Sequence, residues 1–96
     1  MSTDDAAARP SNWFVYVVRC SDGSLYTGVS TDVPARIAVH NAGRGAKYTR
    51  SRLPVELVYQ EPVPDRGAAL RREYRIRRLP GSAKRALVAG LDTPGG

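Results

Sequence analysis

Five residues carry side chains able to hold a phosphate, move a proton or bind a cation: Tyr16, Tyr26, Arg36, His40 and Glu73. The two tyrosines flank a short turn in VYVVRCSDGSLYTGVS, residues 15–30, and Gly28 closely follows the second. Whether their rings meet depends on the hairpin register. A two-residue Asp22-Gly23 turn pairs Tyr16 with Val29 and sends the rings to opposite faces. A three-residue Ser21-Asp22-Gly23 loop, closed by a left-handed glycine, pairs Cys20 with Ser24, Tyr16 with Gly28 and Val18 with Tyr26. Both rings then share one face on diagonal positions, because a one-residue slip reverses every side chain. The second register is preferred, since a glycine opposite Tyr16 leaves room for the ring. Two ordinary half-buried strand tyrosines are the alternative.

Arg36 and His40 are four residues apart on an expected helix, so they stack one turn apart on one side. Two cationic or donor groups placed this way can hold a phosphate; a solvated helix face is the competing account. Glu73 is the sole acid in LRREYRIRRL. At about 100° per residue it falls inward among Ala69, Leu70, Tyr74 and Ile76, opposite the arc of Arg71, Arg72, Arg75 and Arg78. A carboxylate there is costly unless it is paired or bound to a cation. An ion pair with Arg77 at i+4, or with a basic loop residue, is the structural alternative to a metal.

These side chains need a scaffold, and the chain supplies its elements in order. Trp13 to Cys20 is a β-branched and aromatic run, hence a strand, and Leu25 to Ser30 is the returning strand. Thr31 or Asp32 can cap a helix that tolerates Pro34 in its first turn and runs to about Asn41. The stretch AGRGAKYTRSRLP reads as a basic, glycine-bearing loop, and Val55 to Tyr59 alternates like a third strand. Asp65 caps a second long helix, RGAALRREYRIRRL, stopped by Pro80-Gly81. Ser82 then caps a short last helix ended by Gly90. The order β-β-α-β-α-α predicts an α/β (α+β) fold in which helices cover a small sheet. Residues 1–11 and 91–96 lack apolar periodicity and are expected to be disordered tails around one domain, 12–90.

The chain has 96 residues and a net charge of +6, from 15 Lys and Arg against 9 Asp and Glu. Setting aside Asp4, Asp5, Asp92 and Arg9 in the terminal segments leaves 14 basic and 6 acidic residues in the body. A polyanionic partner is the natural inference, with solubility or attachment to a ribosome as the blander one. One cysteine, Cys20, forms no internal disulfide and reads as a small filler; cytosol fits best. One cysteine and one histidine make no credible zinc site. The N-terminal MSTDDAAARPS is polar and acidic, so neither a signal peptide nor a membrane span is expected.

VYV at residues 15–17 and YTG at residues 26–28 resemble the paired GIY and YIG motifs of the GIY-YIG nucleases. The resemblance extends through TDVPARIAVHNAGRGAKYTR and PVELVY to the ALRREYRIRRL helix, about Trp13 to Val88. It is strongest to the small stand-alone members, which sit close to the nuclease domain that cuts branched DNA. The resemblance implies a three-stranded antiparallel sheet flanked by helices, with metal-dependent cleavage of a phosphodiester on one sheet face. It places the two motif tyrosines on Tyr16 and Tyr26, the helix arginine on Arg36 and the metal-binding glutamate on Glu73, with Mg²⁺ or Mn²⁺ as the ion. His40 and Lys47 match positions typical of this subgroup, and Gly28 and Asn41 belong to its structural motif. Tyr16 is then the expected base, directly or through His40, while Arg44, Lys47, Arg50 and Arg52 are expected to track a nucleic-acid backbone. The motifs depart from the family pattern in VYV for GIY and in Thr27 for isoleucine. The expected function is a metal-dependent DNA endonuclease, structure-directed with little sequence specificity and serving repair or recombination. The expected partners are DNA, branched or flapped forms included, and a protein that supplies specificity. The alternative is a DNA- or RNA-binding module that keeps the fold and cuts weakly.

Overall fold

In the computed structural model, which describes residues 12–90, the first hairpin adopts the three-residue loop. The expected tails, 1–11 and 91–96, lie outside the described residues. Strands β1 (Phe14–Arg19) and β2 (Leu25–Ser30) are antiparallel, with Tyr16 opposite Gly28 and Val18 opposite Tyr26. Gly23 closes the loop at φ 86°, where a Cβ is strained. The Asp22 carboxylate accepts from both the backbone N–H and the hydroxyl of Ser24, fixing the turn.

Strand β3 (Glu56–Pro62) runs antiparallel along the other side of β1, giving the order β2-β1-β3. The pairing slips between Val17 and Val18, so Val58 is an extra residue on β3. Helix α1 (Val33–Asn41) follows β2, and a single turn, α2 (Lys47–Arg50), precedes β3. Helices α3 (Arg66–Arg77) and α4 (Gly81–Ala89) complete the fold. Asp32 and Asp65 cap α1 and α3 by accepting from the backbone N–H of Ala35 and Ala68. At the end of α1, Asn41 mimics a strand residue: its amide donates to Val55 O at 3.0 Å and accepts from Val55 N–H at 2.8 Å.

Strand alternation divides the interior in two. Val15 and Val17 face α3 and α4, packing with Ala69, Ile76 and Leu87. Tyr16, Val18 and Cys20 face the other way, onto Val33 of α1 and Val55. On the α3 side, Arg72 forks onto Glu61 with bonds of 2.7 and 3.1 Å, and the Tyr59 hydroxyl donates to the same carboxylate.

Several sequence expectations need correction. The stretch read as a basic loop contains α2, because Ala46 O accepts from Thr49 and Arg50 and closes one turn. The third strand runs on through Pro62, whose missing N–H is harmless at the strand's last residue. Helix α3 stops at Arg77, short of Leu79. The last helix is capped by Pro80 and not by Ser82: the Pro80 carbonyl accepts from Lys84 at 2.9 Å, the first bond of the helix. The inward arc of α3 centres on Ala69 and Ile76, both fully buried, so Leu70 and Tyr74 are exposed at 39% and 60%. Arg72, assigned to the solvent arc, is half-buried on Glu61.

Gly28 is the tightest point of the sheet. A Cβ there would lie 2.5 Å from the Tyr16 hydroxyl and 2.6 Å from its ring carbon. Because Tyr16 is 1% exposed and cannot swing away, Gly28→Ala is expected to destabilise the fold by about 1–3 kcal/mol. Urea unfolding followed by circular dichroism checks this; a midpoint equal to wild type refutes it.

Candidate active site

The Tyr16 ring crosses β2 over Gly28, the position its strand register and the missing Cβ allow. His40 rises from the last turn of α1 and is fully buried beneath it. The Tyr16 hydroxyl and His40 Nε2 are 2.9 Å apart, and His40 Nδ1 is 2.9 Å from the Thr49 hydroxyl oxygen. Thr49 in turn donates to the Ala46 carbonyl at 2.9 Å. That last bond uses the only hydrogen on the Thr49 hydroxyl, so its oxygen can only accept from His40. Nδ1 therefore carries the imidazole proton, and Nε2 presents a lone pair to the Tyr16 O–H. The result is a directed chain: Tyr16 O–H to Nε2, Nδ1–H to Thr49, Thr49 O–H to Ala46.

Gly45 makes room for this chain. A Cβ on it would sit 2.2 Å from His40 Nδ1 and 2.9 Å from the His40 Cα, which is backbone and cannot yield.

Burial pushes the Tyr16 hydroxyl above the usual phenol range, the Arg36 guanidinium beside it pulls back, and Tyr26 and Glu73 add to the rise. Burial pushes the His40 imidazole down, and the Arg36 charge pushes it further. Near neutral pH the pair is thus a neutral phenol and a neutral imidazole, with the proton on oxygen. Arg36 acts on both partners, as expected of a residue one helical turn from His40.

Helix α3 brings the remaining groups to the free edge of β2. Arg77 Nη2 lies 3.2 Å from Glu73 Oε2 and donates to the Thr27 carbonyl at 3.1 Å, and its guanidinium stands 5.3 Å from the centre of the Tyr26 ring. The i+4 ion pair anticipated as the structural partner of Glu73 is therefore present. The Tyr26 ring is 5.6 Å from His40 and stacks on Tyr48 at 6.0 Å.

Among the described residues no three His, Cys, Asp or Glu converge as a ready-made metal cage. Glu73 alone suits a hard divalent ion of the kind held by one carboxylate, water and substrate phosphate oxygens. Of the four basic residues expected along a nucleic-acid backbone, Arg44, Lys47 and Arg50 are exposed. Arg52 is committed elsewhere: it bonds Asp22 at 3.1 Å and the Tyr48 carbonyl at 2.8 Å.

The structure thus gathers Tyr16, Tyr26, Arg36 and His40, with Glu73 at the edge of the cluster. Sequence reasoning missed Thr49, Gly45 and Tyr48 as parts of it, and named Arg77 only as an ion-pair partner of Glu73. The glycine and aromatic run GAKYTR was the available signal, but no periodicity connects a threonine in it to a histidine nine residues earlier. A larger groove, about 470 Å³, lies away from this cluster between the hairpin and α4. Its lining of Leu25, Val58, Val88, Arg19 and Arg85 offers no acid or base.

His40 is the one histidine in the chain, so its signals are unambiguous. Nitrogen NMR is expected to show the Nδ1–H tautomer at neutral pH and a titration midpoint below 6.5. The unfolded chain takes up its proton first as pH falls through 6.5, so folding stability should decline from there downward until the folded imidazole also charges. A midpoint at or above 6.5, or an Nε2–H tautomer, refutes the assignment.

Residues 12–86 match the family model of the GIY-YIG catalytic domain. A UPF0213 protein of Vibrio cholerae is 53% identical over 89 residues, covering 92% of this chain and 88% of its own. A UPF0213 protein of Staphylococcus aureus is 55% identical over 75 residues, covering 78% of this chain and 92% of its own. The solution NMR structure of a UPF0213 protein from Bacillus halodurans is similar at a TM-score of 0.54 and 44% identity, over 85% of this chain and 87% of that one. Sheet order, paired tyrosine motifs and matched span agree: this chain belongs to the GIY-YIG family, among relatives that are small UPF0213 proteins.

Proposed function

We propose that this chain is a metal-dependent endonuclease that hydrolyses DNA phosphodiester bonds in the cytoplasm, in repair or recombination, guided by DNA shape more than by base sequence. The observation that carries this reading is the buried Tyr16–His40–Thr49 chain, which aims an imidazole lone pair at a phenol beside Arg36. Among the described residues no helix is long and apolar enough to cross a membrane.

Hydrolysis needs a base for water, stabilisation of added negative charge and help for the leaving oxygen. In this site Tyr16 takes a proton from the attacking water as it passes its own to His40 Nε2. Thr49 then holds the imidazolium through Nδ1–H. Arg36 binds phosphoryl oxygens with its planar fork. An entering phosphodiester also offsets the Arg36 charge felt by His40, which raises the proton affinity of Nε2. Tyr26 hydrogen-bonds a phosphate oxygen or the water. Glu73 would hold Mg²⁺ or Mn²⁺, an ion that supplies electrophilic stabilisation of the phosphoryl and leaving oxygens. Arg44, Lys47 and Arg50 would follow the strand, with Arg52 acting from its bond to Asp22, and a protein partner would supply further specificity.

One observation favours the second reading, a nucleic-acid-binding module: the Glu73 carboxylate is already engaged by Arg77. Cleavage of labelled single-stranded, duplex, flapped and branched DNA in Mg²⁺ and in Mn²⁺ separates the two. Wild type is expected to cut, and Tyr16→Phe and Glu73→Ala, each folded by circular dichroism, to lose about 10²-fold or more. Binding without cutting under every condition would establish the module instead.

The pH profile of kcat/KM, which reports the free protein, should also show an acid limb with a midpoint below 6.5, because a charged His40 cannot accept the Tyr16 proton. Thr49→Val should lower kcat/KM roughly tenfold by freeing the imidazole orientation, and Thr49→Ser should restore it. If serine proves as poor as valine, Thr49 does not orient His40.

A further inference from the structure

Next to the Tyr16–His40 pair lies a surface of which the cutting chemistry uses only Tyr26. Tyr48, on α2, is 39% exposed, and its ring is offset-stacked on Tyr26 at an interplanar angle of 19°. The Arg52 guanidinium lies 3.9 Å from the Tyr48 ring centre and is itself fixed by Asp22. Arg52 covers one face of the Tyr48 ring and Tyr26 steadies it, so a ligand meeting its exposed part loses little by ordering it.

A groove of about 310 Å³ runs from Tyr48 and Tyr26 around the β2 edge to Arg77 and Lys84. Arg77 is balanced by Glu73, whereas Lys84 makes no ion pair with another described residue. An aromatic plate beside a free cation is the arrangement that takes a base and its phosphate from a single strand. A base within a duplex keeps both faces stacked and cannot reach the plate. The rest of the lining is Leu25 and Thr27, whose carbonyl already accepts from Arg77. The choice of deoxyribose over ribose follows the nuclease reading above.

We propose that the Tyr48–Tyr26 groove is a subsite for one unpaired nucleobase of single-stranded DNA, with Lys84 on the adjoining phosphate. Its position beside the scissile bond rests on the nuclease reading; its capacity to bind does not. Substrates with an unpaired nucleotide at the cut, such as flaps and branches, are then favoured over continuous duplex.

The test is binding in EDTA, followed by fluorescence anisotropy, of a short labelled thymidine strand and of the same backbone made abasic throughout. Wild type should bind the base-bearing strand at least about tenfold more tightly. Tyr48→Ala should lose about tenfold on that strand and nothing on the abasic one, while Tyr48→Phe keeps wild-type affinity. Lys84→Ala should reduce the slope of log affinity against log salt by about 0.7. Equal binding of the two strands by wild type overturns the subsite without recourse to any variant. So does an equal loss by Tyr48→Ala on both strands, which marks a merely structural tyrosine. Tighter binding of the matching RNA strand overturns the assignment to DNA. Parallel cleavage of flapped DNA in Mg²⁺ keeps the two readings apart. Cutting with Tyr48-independent binding removes the subsite alone, and Tyr48-dependent binding without cutting removes the nuclease alone.

Discussion

The hydrogen bond between the Tyr16 hydroxyl and His40 Nε2 is the contact around which the rest of this small fold is arranged. It joins the middle strand of the sheet to the last turn of α1, and through Thr49 it reaches α2. Left unpaired in the interior, each of these polar groups would cost about 1–3 kcal/mol. Both partners must therefore be delivered to within hydrogen-bond distance by elements far apart in sequence. Gly28 clears the path of the phenol and Gly45 the seat of the imidazole. Asn41, one residue beyond His40, ties the end of α1 to Val55 and so fixes the height of the histidine over the sheet.

Charge is distributed around this contact in a manner suited to an anion. Burial holds the proton on Tyr16 and off His40, and Arg36 reinforces the second effect while opposing the first, so the pair stays neutral. An anion beside Arg36 would offset that charge and ease protonation of His40. Glu73 shares its carboxylate with Arg77, and Arg77 is also bound to the β2 backbone and poised on the Tyr26 ring. The acid, the edge strand and the second tyrosine thus form one mechanical unit.

Much of this was legible in the sequence where local rules are strong. Gly28 two residues after Tyr26 selected the hairpin register, because only one register sets a glycine against the Tyr16 ring. Asp32 and Asp65 marked helix starts through an ordinary capping bond. What the sequence concealed was whatever depends on contacts across the fold. The angular position of Glu73 placed it correctly near Ala69 and Ile76, but it could not tell that the sheet covers only that side, leaving Leu70 and Tyr74 in solvent. Arg52 looked like any loop cation until the turn carrying Asp22 was brought beside it. Thr49 had no period or charge to announce it, and only the three-dimensional meeting with Nδ1 gives it meaning.

The alternation along β1 has a consequence for how such a protein can change over time. Tyr16 and Val18 belong to one interior, Val15 and Val17 to the other, and the two share a wall without sharing a side chain. Substitutions among Val15, Val17, Ile76 and Leu87 can retune tolerance to heat or cold on their own side of that wall. The tyrosine, histidine and threonine beyond it need not adjust. The helix that carries Ile76 also carries Glu73 and Arg77, so it links the packing of one side to the groups at the edge of the other.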